Sequence, residues 1–181
     1  MLALVGGWLI AGALQPPGYD PVTQTISALA RHGAAHRWVM TLGLSLLGLA
    51  HMVTASGLAA LRPASRAVLA LGGAATLAVA VFAQPATGSS AAHLGFATLG
   101  FVALALWPAT TATREPAAPF ATRPAGAIPV TVISLALLAW VAATLSSGPL
   151  GLAERLLTFE QALWPFIVVV ALRRRPGTIG R

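Results

Sequence analysis

Long apolar stretches, separated by short segments rich in proline, glycine and arginine, dominate this sequence. The hydrocarbon core of a bilayer is about 30 Å thick, and a helix needs about 20 apolar residues to cross it. Six stretches approach this length, with approximate bounds 1–14, 38–61, 67–83, 91–111, 127–145 and 152–172. The sequence therefore predicts an all-α membrane protein, a six-transmembrane-helix bundle formed by one integral membrane domain over residues 1–172. The first stretch is short, and we expect it either to thin the bilayer locally or to belong to a longer natural helix.

The composition excludes other classes of protein. Hydrophobic residues make up 57% of the chain and charged residues 8%, whereas soluble domains carry about 25% charged residues. A soluble enzyme and a nucleic-acid-binding module are therefore excluded. The chain has no cysteine and no lysine, so it offers no thiolate ligand and no amine for a Schiff base. We expect no cofactor, and the arginine- and alanine-rich usage indicates a bacterial source.

The arginines indicate an orientation in the membrane. In the six-span arrangement most of them fall on one side, namely Arg62, Arg66, Arg114, Arg123, Arg173, Arg174, Arg175 and Arg181. Loops rich in arginine stay in the cytoplasm. We therefore expect a protein of the plasma membrane with both termini in the cytoplasm and a basic cytoplasmic tail over 173–181. The loops 15–37, 84–90 and 146–151 would then lie outside.

The first outer loop has the pattern of a short amphipathic helix over residues 21–32. Asp20 suits the N-cap, Pro21 the first helical position and Gly33 the end. Apolar residues, including Val22, fall on one face and polar residues on the other. Such a helix either covers the bundle or uses Gln24, Ser27 and Arg31 to line the mouth of a pocket.

Polar side chains at membrane depth are costly, so those present are candidates for function. His93 opens the fourth stretch, Glu154 and Arg155 open the last, and Glu160 follows. We expect Glu154 and Arg155 to pair with other outer groups, such as Asp20 or His93. In that arrangement Arg155 bridges a carboxylate of the first loop to the last span. The same groups could instead form a ligand or proton site. The candidate cluster, for ligand binding or for structure, consists of Asp20, Gln24, Ser27, Arg31, His93, Glu154, Arg155 and Glu160.

The remaining histidines, His32, His36 and His51, give little support for a metal site. His51 lies in the second stretch, where a single histidine usually forms a hydrogen bond with a neighbour. His32 and His36 are separated by Gly33, so they do not share a helix face. We therefore predict no metal site. No motif of a nucleophile elbow, a phosphate loop or a zinc protease is present.

Two motifs support a family resemblance. The segment 19–29, YDPVTQTISAL, resembles the first-loop signature of the domain-of-unknown-function family 998, which comprises bacterial and archaeal multi-pass membrane proteins. The segment 151–156, GLAERL, is similar to a second recurrent element of that family, and His93 fits the same pattern. The resemblance implies a six-span helical bundle and no settled activity.

Three functions remain open from the sequence. The favoured one is an integral membrane protein that binds a lipid or small amphiphile at a polar pocket in the outer leaflet, or that serves as a membrane subunit. A second is a membrane-embedded hydrolase, with or without a metal, whose residues would be Asp20, Ser27, His93 and Glu154 or Glu160. A third is a small transporter that acts as an oligomer. The lack of a recognisable catalytic motif favours a non-enzymatic role, with the bilayer and not a nucleic acid as partner.

Overall fold

The computed structural model describes residues 1–174, and every regular element in that range is helical. The predicted all-α class is therefore confirmed. A 3₁₀ turn, Phe120–Thr122, precedes the sixth α-helix. The α-helices are α1 (Leu2–Ala13), α2 (Ile26–Ala30), α3 (Arg37–Gly57), α4 (Pro63–Val81), α5 (Ala91–Thr111), α6 (Pro124–Ala143) and α7 (Leu150–Arg173).

Five of these helices, α3 to α7, are long and apolar enough to cross a membrane. The helix α1 is apolar but has only 12 residues, so it rises about 18 Å. The chain thus has the architecture of a multi-pass membrane protein. The predicted basic tail falls partly outside the described residues: Arg173 and Arg174 are exposed, and 175–181 are not described.

Consecutive long helices run antiparallel and pack side by side, so the loops lie at two ends of the bundle. We call one the first-loop end; it carries residues 14–36, 82–90 and 144–149. The other, the opposite end, carries residues 58–62, 112–123 and the end of α7. Small residues allow close packing between α3 and α4, since a Cβ added at Gly48 would lie 2.7 Å from the carbonyl oxygen of Gly73. Close approach through small residues is typical of membrane helices.

The first loop differs from its prediction. A helix over 21–32 beginning at Asp20 was expected, but only the five residues of α2 are helical, and the Thr25 hydroxyl caps them by accepting from the Ala28 N–H at 3.0 Å. The Asp20 carboxylate instead closes a turn, accepting from the Val22 N–H at 2.9 Å and from the Thr23 hydroxyl at 2.7 Å. The backbone is extended at Thr25, with ψ 163°, so this turn does not continue into α2.

The predicted apolar face of the first loop exists only within α2. Ile26, Leu29 and Ala30 are buried against the bundle, whereas Val22 is 45% exposed. The reason is the break at Thr25, which removes the helical register between Val22 and the later residues.

Candidate functional site

Arg155, at the start of α7, binds the first loop through backbone oxygens. Its Nη1 donates to the carbonyl oxygens of Pro21 at 2.7 Å, Gln24 at 2.8 Å and Gly151 at 2.9 Å. Its Nη2 donates to the hydroxyl of Tyr19 at 2.5 Å. The Arg155 side chain therefore joins the first loop to the last helix.

The expected pairing of Glu154 and Arg155 with Asp20 or His93 is wrong. No ion pair is present among residues 1–174, and Asp20, Glu154 and His93 have other partners. The loop explains the difference. Residues 21–24 form one turn that does not continue as a helix, so their carbonyl oxygens need donors from elsewhere. A guanidinium has five N–H donors in a fixed fork, which suits several carbonyls as well as one carboxylate.

The Glu154 carboxylate binds the same loop through a backbone N–H and a hydroxyl of α2. Its Oε2 accepts from the Ile26 N–H at 2.5 Å, and its Oε1 accepts from the Ser27 hydroxyl at 3.4 Å. The first N–H groups of a helix have no partner within the helix, and the Glu154 carboxylate supplies one for α2. Glu154 is only 7% exposed. Glu154 thus accepts from a backbone N–H of the first loop, and the adjacent Arg155 donates to backbone carbonyls of the same loop.

A glycine makes this contact possible. A Cβ added at Gly151 would overlap the carbonyl oxygens of Gln24 and Pro21. A further backbone hydrogen bond, from the Leu152 N–H to the Val22 carbonyl at 2.9 Å, joins the two segments. The first turn of α7 is therefore a docking surface for the first loop, and a side chain at position 151 would separate them.

A cavity of about 40 Å³ lies beneath the docked loop, between α2, α3, α4, α5 and α7. Its lining is mostly aliphatic and aromatic. The polar residues that line it are Ser27, His51, Thr76, Glu154, Thr158 and Gln161. Glu154, Thr158 and Gln161 follow one another at helical spacing on α7, so they share one face of that helix.

Two of these side chains have polar atoms without partners. His51 and Gln161 are each 3% exposed. Both ring nitrogens of His51 and the Oε1 of Gln161 lack a hydrogen-bond partner within the described chain. The Nε2 of Gln161 donates to the Phe101 carbonyl at 3.0 Å. The hydrogen bond of His51 to a neighbouring residue stays a prediction.

The rest of the predicted cluster lies elsewhere. The Nδ1 of His93 is 3.0 Å from the Phe82 carbonyl, away from the cavity lining. Glu160 lies on the α6 side of α7, where its Oε2 accepts from the Ser134 hydroxyl at 2.6 Å. Arg31 is exposed beyond the end of α2. The structure thus brings Ser27 and Glu154 together and separates them from these three residues.

Asp20 and Gln24 belong to the docked first loop and contribute to its conformation and its attachment to α7. Gln24 is not among the residues that line the cavity; its Nε2 donates to the Gly18 carbonyl at 3.4 Å, and its backbone oxygen binds Arg155. Hydrogen bonds from the Val22 N–H and the Thr23 hydroxyl lower the pKa of the Asp20 carboxyl. Burial raises the pKa of the Tyr19 phenol, and the positive charge of Arg155 opposes that rise.

Three residues of the site, Tyr19, Thr158 and Gln161, are not singled out by the sequence. The spacing of Thr158 and Gln161 from Glu154 could have placed them on one face, but nothing local indicates that this face borders a cavity. Within residues 1–174 no group of three or more His, Asp or Glu side chains lies close enough to hold a metal ion.

Together, the long apolar helices and the docked first loop define a multi-pass α-helical membrane protein with a small internal cavity. Residues 1–171 match a family described as Protein of unknown function (DUF998), and the chain belongs to this family. The resemblance found in the two motifs is thereby confirmed. No curated protein and no solved structure matches the chain.

Proposed function

We propose that this protein is an integral membrane binding protein that holds the polar end of a small amphiphile in the cavity beneath the first loop. One observation carries the proposal: an otherwise apolar cavity is lined by buried polar groups, of which His51 and Gln161 have unpartnered atoms. Ligand pockets are mostly apolar with a few polar groups that fix the orientation of the ligand. Buried polar atoms otherwise find a partner in nearly all proteins.

The size of the cavity limits what enters it. A water molecule needs roughly 10–15 Å³ of such volume, so about 40 Å³ accepts a polar group of a few heavy atoms and not a whole lipid. Phe96, Ala97 and Phe101 also line the cavity and keep partial exposure. The alkyl part of the ligand would extend along these residues of α5.

We propose a six-span arrangement in which α1 is a short sixth span and the first-loop end faces the outside of the plasma membrane. Within residues 1–174 the loops and helix termini of the opposite end carry Arg62, Arg66, Arg114, Arg123, Arg173 and Arg174. The positive-inside rule favours a cytoplasmic position for these loops and for both termini. The ligand would then bind near the outer leaflet.

The orientation is testable by labelling, because the chain has no cysteine of its own. Single cysteines at Ser89 and Ser147 should react with an impermeant thiol reagent in intact cells, and one at Ala64 should react only after lysis. All three positions are exposed. Labelling of Ala64→Cys from outside would contradict the orientation.

The other functions have less support. A hydrolase would need a base beside Ser27, and His93 is not among the residues that line the cavity with Ser27. The Ser27 hydroxyl donates to the Glu154 carboxylate, which already binds the Ile26 N–H. A role as an oligomeric transporter or as a subunit stays a prediction.

Photolabelling tests the binding proposal. A medium-chain amphiphile with a diazirine on its alkyl chain, added to the protein in lipid nanodiscs, should label the segments 96–104 and 154–161. Ala97→Phe should suppress this labelling, since Ala97 lines the cavity. Thr98→Phe is the matched control, because Thr98 is its exposed neighbour on the same helix.

Labelling spread evenly over the lipid-facing residues, and equal in Ala97→Phe and the parent protein, would refute the proposal. Saturable labelling that an unlabelled amphiphile displaces would support it.

A further inference from the structure

We infer that the ligand of this cavity is an uncharged amphiphile whose polar end both donates and accepts a hydrogen bond, as a hydroxyl or a primary amide does, and that His51 and Gln161 recognise that end. The inference rests on the proposed binding function and specifies its ligand class.

Gln161 requires a donor from the ligand. Its Nε2 donates to the Phe101 carbonyl at 3.0 Å. The reverse orientation of the amide would place two acceptors, Oε1 and the Phe101 oxygen, against each other. Oε1 is therefore the atom left for the cavity, and it accepts hydrogen bonds only.

His51 requires both kinds of partner. A neutral imidazole has one N–H donor and one acceptor nitrogen, and both ring nitrogens are without partners in the described residues. The helices α3 and α4 approach closely at this residue, since a Cβ added at Gly73 would lie 2.8 Å from the Cβ of His51. A ligand hydroxyl can accept from the N–H of His51 and donate to the Oε1 of Gln161, and a primary amide, which has two N–H groups, can also donate to the second ring nitrogen of His51.

The charge of the lining argues for a neutral ligand. Glu154 is the only acidic or basic residue other than His51 among the residues that line the cavity. An anion would meet that carboxylate with no arginine in the lining to pair with it, and burying an unpaired charge is expensive. A cation would be drawn to Glu154 at the first-loop end and would leave His51 and Gln161 unpaired.

A matched set of ten-carbon probes tests the inference in nanodiscs: decan-1-ol, its methyl ether, decylamine and decanoate. The protein is labelled with ¹⁵N in its histidines, and the His51 ring signals are assigned by their loss in His51→Phe. Decan-1-ol should shift these signals saturably. The ether cannot donate to Gln161, so we expect it to bind roughly fivefold to tenfold more weakly.

Gln161→Met, of similar volume, should remove the preference for the alcohol over the ether. His93→Phe is the matched control, because His93 is equally buried, has the Phe82 carbonyl as partner and does not line the cavity. It should keep the preference. If Gln161→Met does not fold, the comparison of alcohol and ether on the parent protein decides alone.

Equal binding of alcohol and ether, or a preference that survives in Gln161→Met, would overturn the ligand class and leave the binding function standing. Tighter binding of decylamine than of the alcohol would also overturn it, in favour of recognition by Glu154. If no probe displaces the photoreactive amphiphile or shifts the His51 signals, the binding function itself fails.

Discussion

Both ends of the bundle use arginine to bind backbone carbonyls, but they do so over very different distances along the chain. At the opposite end, Arg66 donates to the carbonyls of Ala55 and Ser56 at 2.9 and 3.0 Å, and Arg123 donates to those of Ala118 and Pro116 at 2.8 and 2.9 Å. These partners lie within the same loop or the adjoining helix, and Arg62 reaches further, to the carbonyls of Thr110 and Ala112, 48 and 50 residues away. Arg155 instead binds Pro21, which is 134 residues away.

The comparison shows two uses of one chemistry. Carbonyls at helix ends and in turns have no partner within the helix, and an arginine supplies donors wherever such carbonyls gather. At the opposite end this satisfies carbonyls of the arginine's own loop or of an adjoining or neighbouring helix end. At the first-loop end it fixes a remote segment over the cavity, and a buried carboxylate on the neighbouring residue completes the attachment. The first-loop end is thus the part whose disruption should alter the cavity.

The largest effect should come from Arg155→Ala. This change removes donors from the carbonyls of Pro21, Gln24 and Gly151 and from the Tyr19 hydroxyl. Because hydrogen bonds to charged groups contribute about 1.5–3 kcal/mol each where they are not exposed, and these are partly exposed, we expect the free energy of unfolding to fall by about 2–3 kcal/mol. Unfolding titrations in mixed micelles measure it.

Arg62→Ala is the comparison at the opposite end. Arg62 also binds two carbonyls, those of Thr110 and Ala112, but in an exposed position, so we expect a loss of about 1 kcal/mol or less. Arg155→Lys should restore part of the stability, since a point charge cannot reproduce the planar fork. Equal losses in Arg155→Ala and Arg62→Ala would mean that the two ends do not differ.

Gly151→Ala should have the next largest effect. The new Cβ would overlap the carbonyls of Gln24 and Pro21, so the first loop must move away from α7. Forced contacts of this kind cost about 1–3 kcal/mol. Amide hydrogen exchange should accelerate over 21–30 and stay unchanged over 112–122.

Gly95→Ala is its control, because an added Cβ there meets no atom within 4 Å. Alanine is also the better helix former, so this variant should be as stable as the parent protein or slightly more. Unchanged exchange over 21–30 in Gly151→Ala would show that the docking surface tolerates a side chain.

The smallest effect concerns pH. The pKa of the Asp20 carboxyl lies below its ordinary value of 3.8, because the Val22 N–H and the Thr23 hydroxyl bind the ionised form. A group with a lowered pKa in the folded state stabilises the fold above its ordinary pKa and loses that contribution as the pH falls through the folded value. Asp20→Asn should therefore loosen the turn 20–24 near neutral pH.

Limited proteolysis in the first loop, at neutral pH and near pH 3, measures this change. The difference between Asp20→Asn and the parent protein should shrink at the lower pH. A difference that grows on acidification would contradict the sign derived from the lowered pKa.

The helices could be predicted because their signal is local. The stretch 91–111 coincides with α5, where the Ser90 hydroxyl caps the first turn. The second stretch was extended to residue 61, whereas α3 ends at Gly57, because Leu58 and Leu61 are apolar and buried without being helical.

The site could be predicted only in part, because its bonds join distant segments. The sequence placed Ser27, Glu154 and Arg155 in one cluster, and the structure brings these three to one end. The sequence does not show that Arg155 binds carbonyl groups, because the directions of those carbonyls follow from the break in the backbone at Thr25. Nor could it single out Gln161, whose surroundings depend on how α3, α5 and α7 meet.

The attachment of the first loop also sets the order in which the molecule is completed during synthesis. The N–H of Ile26 has no access to its partner until Glu154, 128 residues later in the chain, has been synthesised. At about 5–20 residues per second, a ribosome takes roughly ten seconds to cover that interval. During this time the loop has been made but has nothing to dock on, while α1 and α3 to α6 are already available to pair. The cavity therefore lacks the wall that α7 provides until α7 is made, and a nascent chain that stops before α7 has most of its helices and no complete cavity.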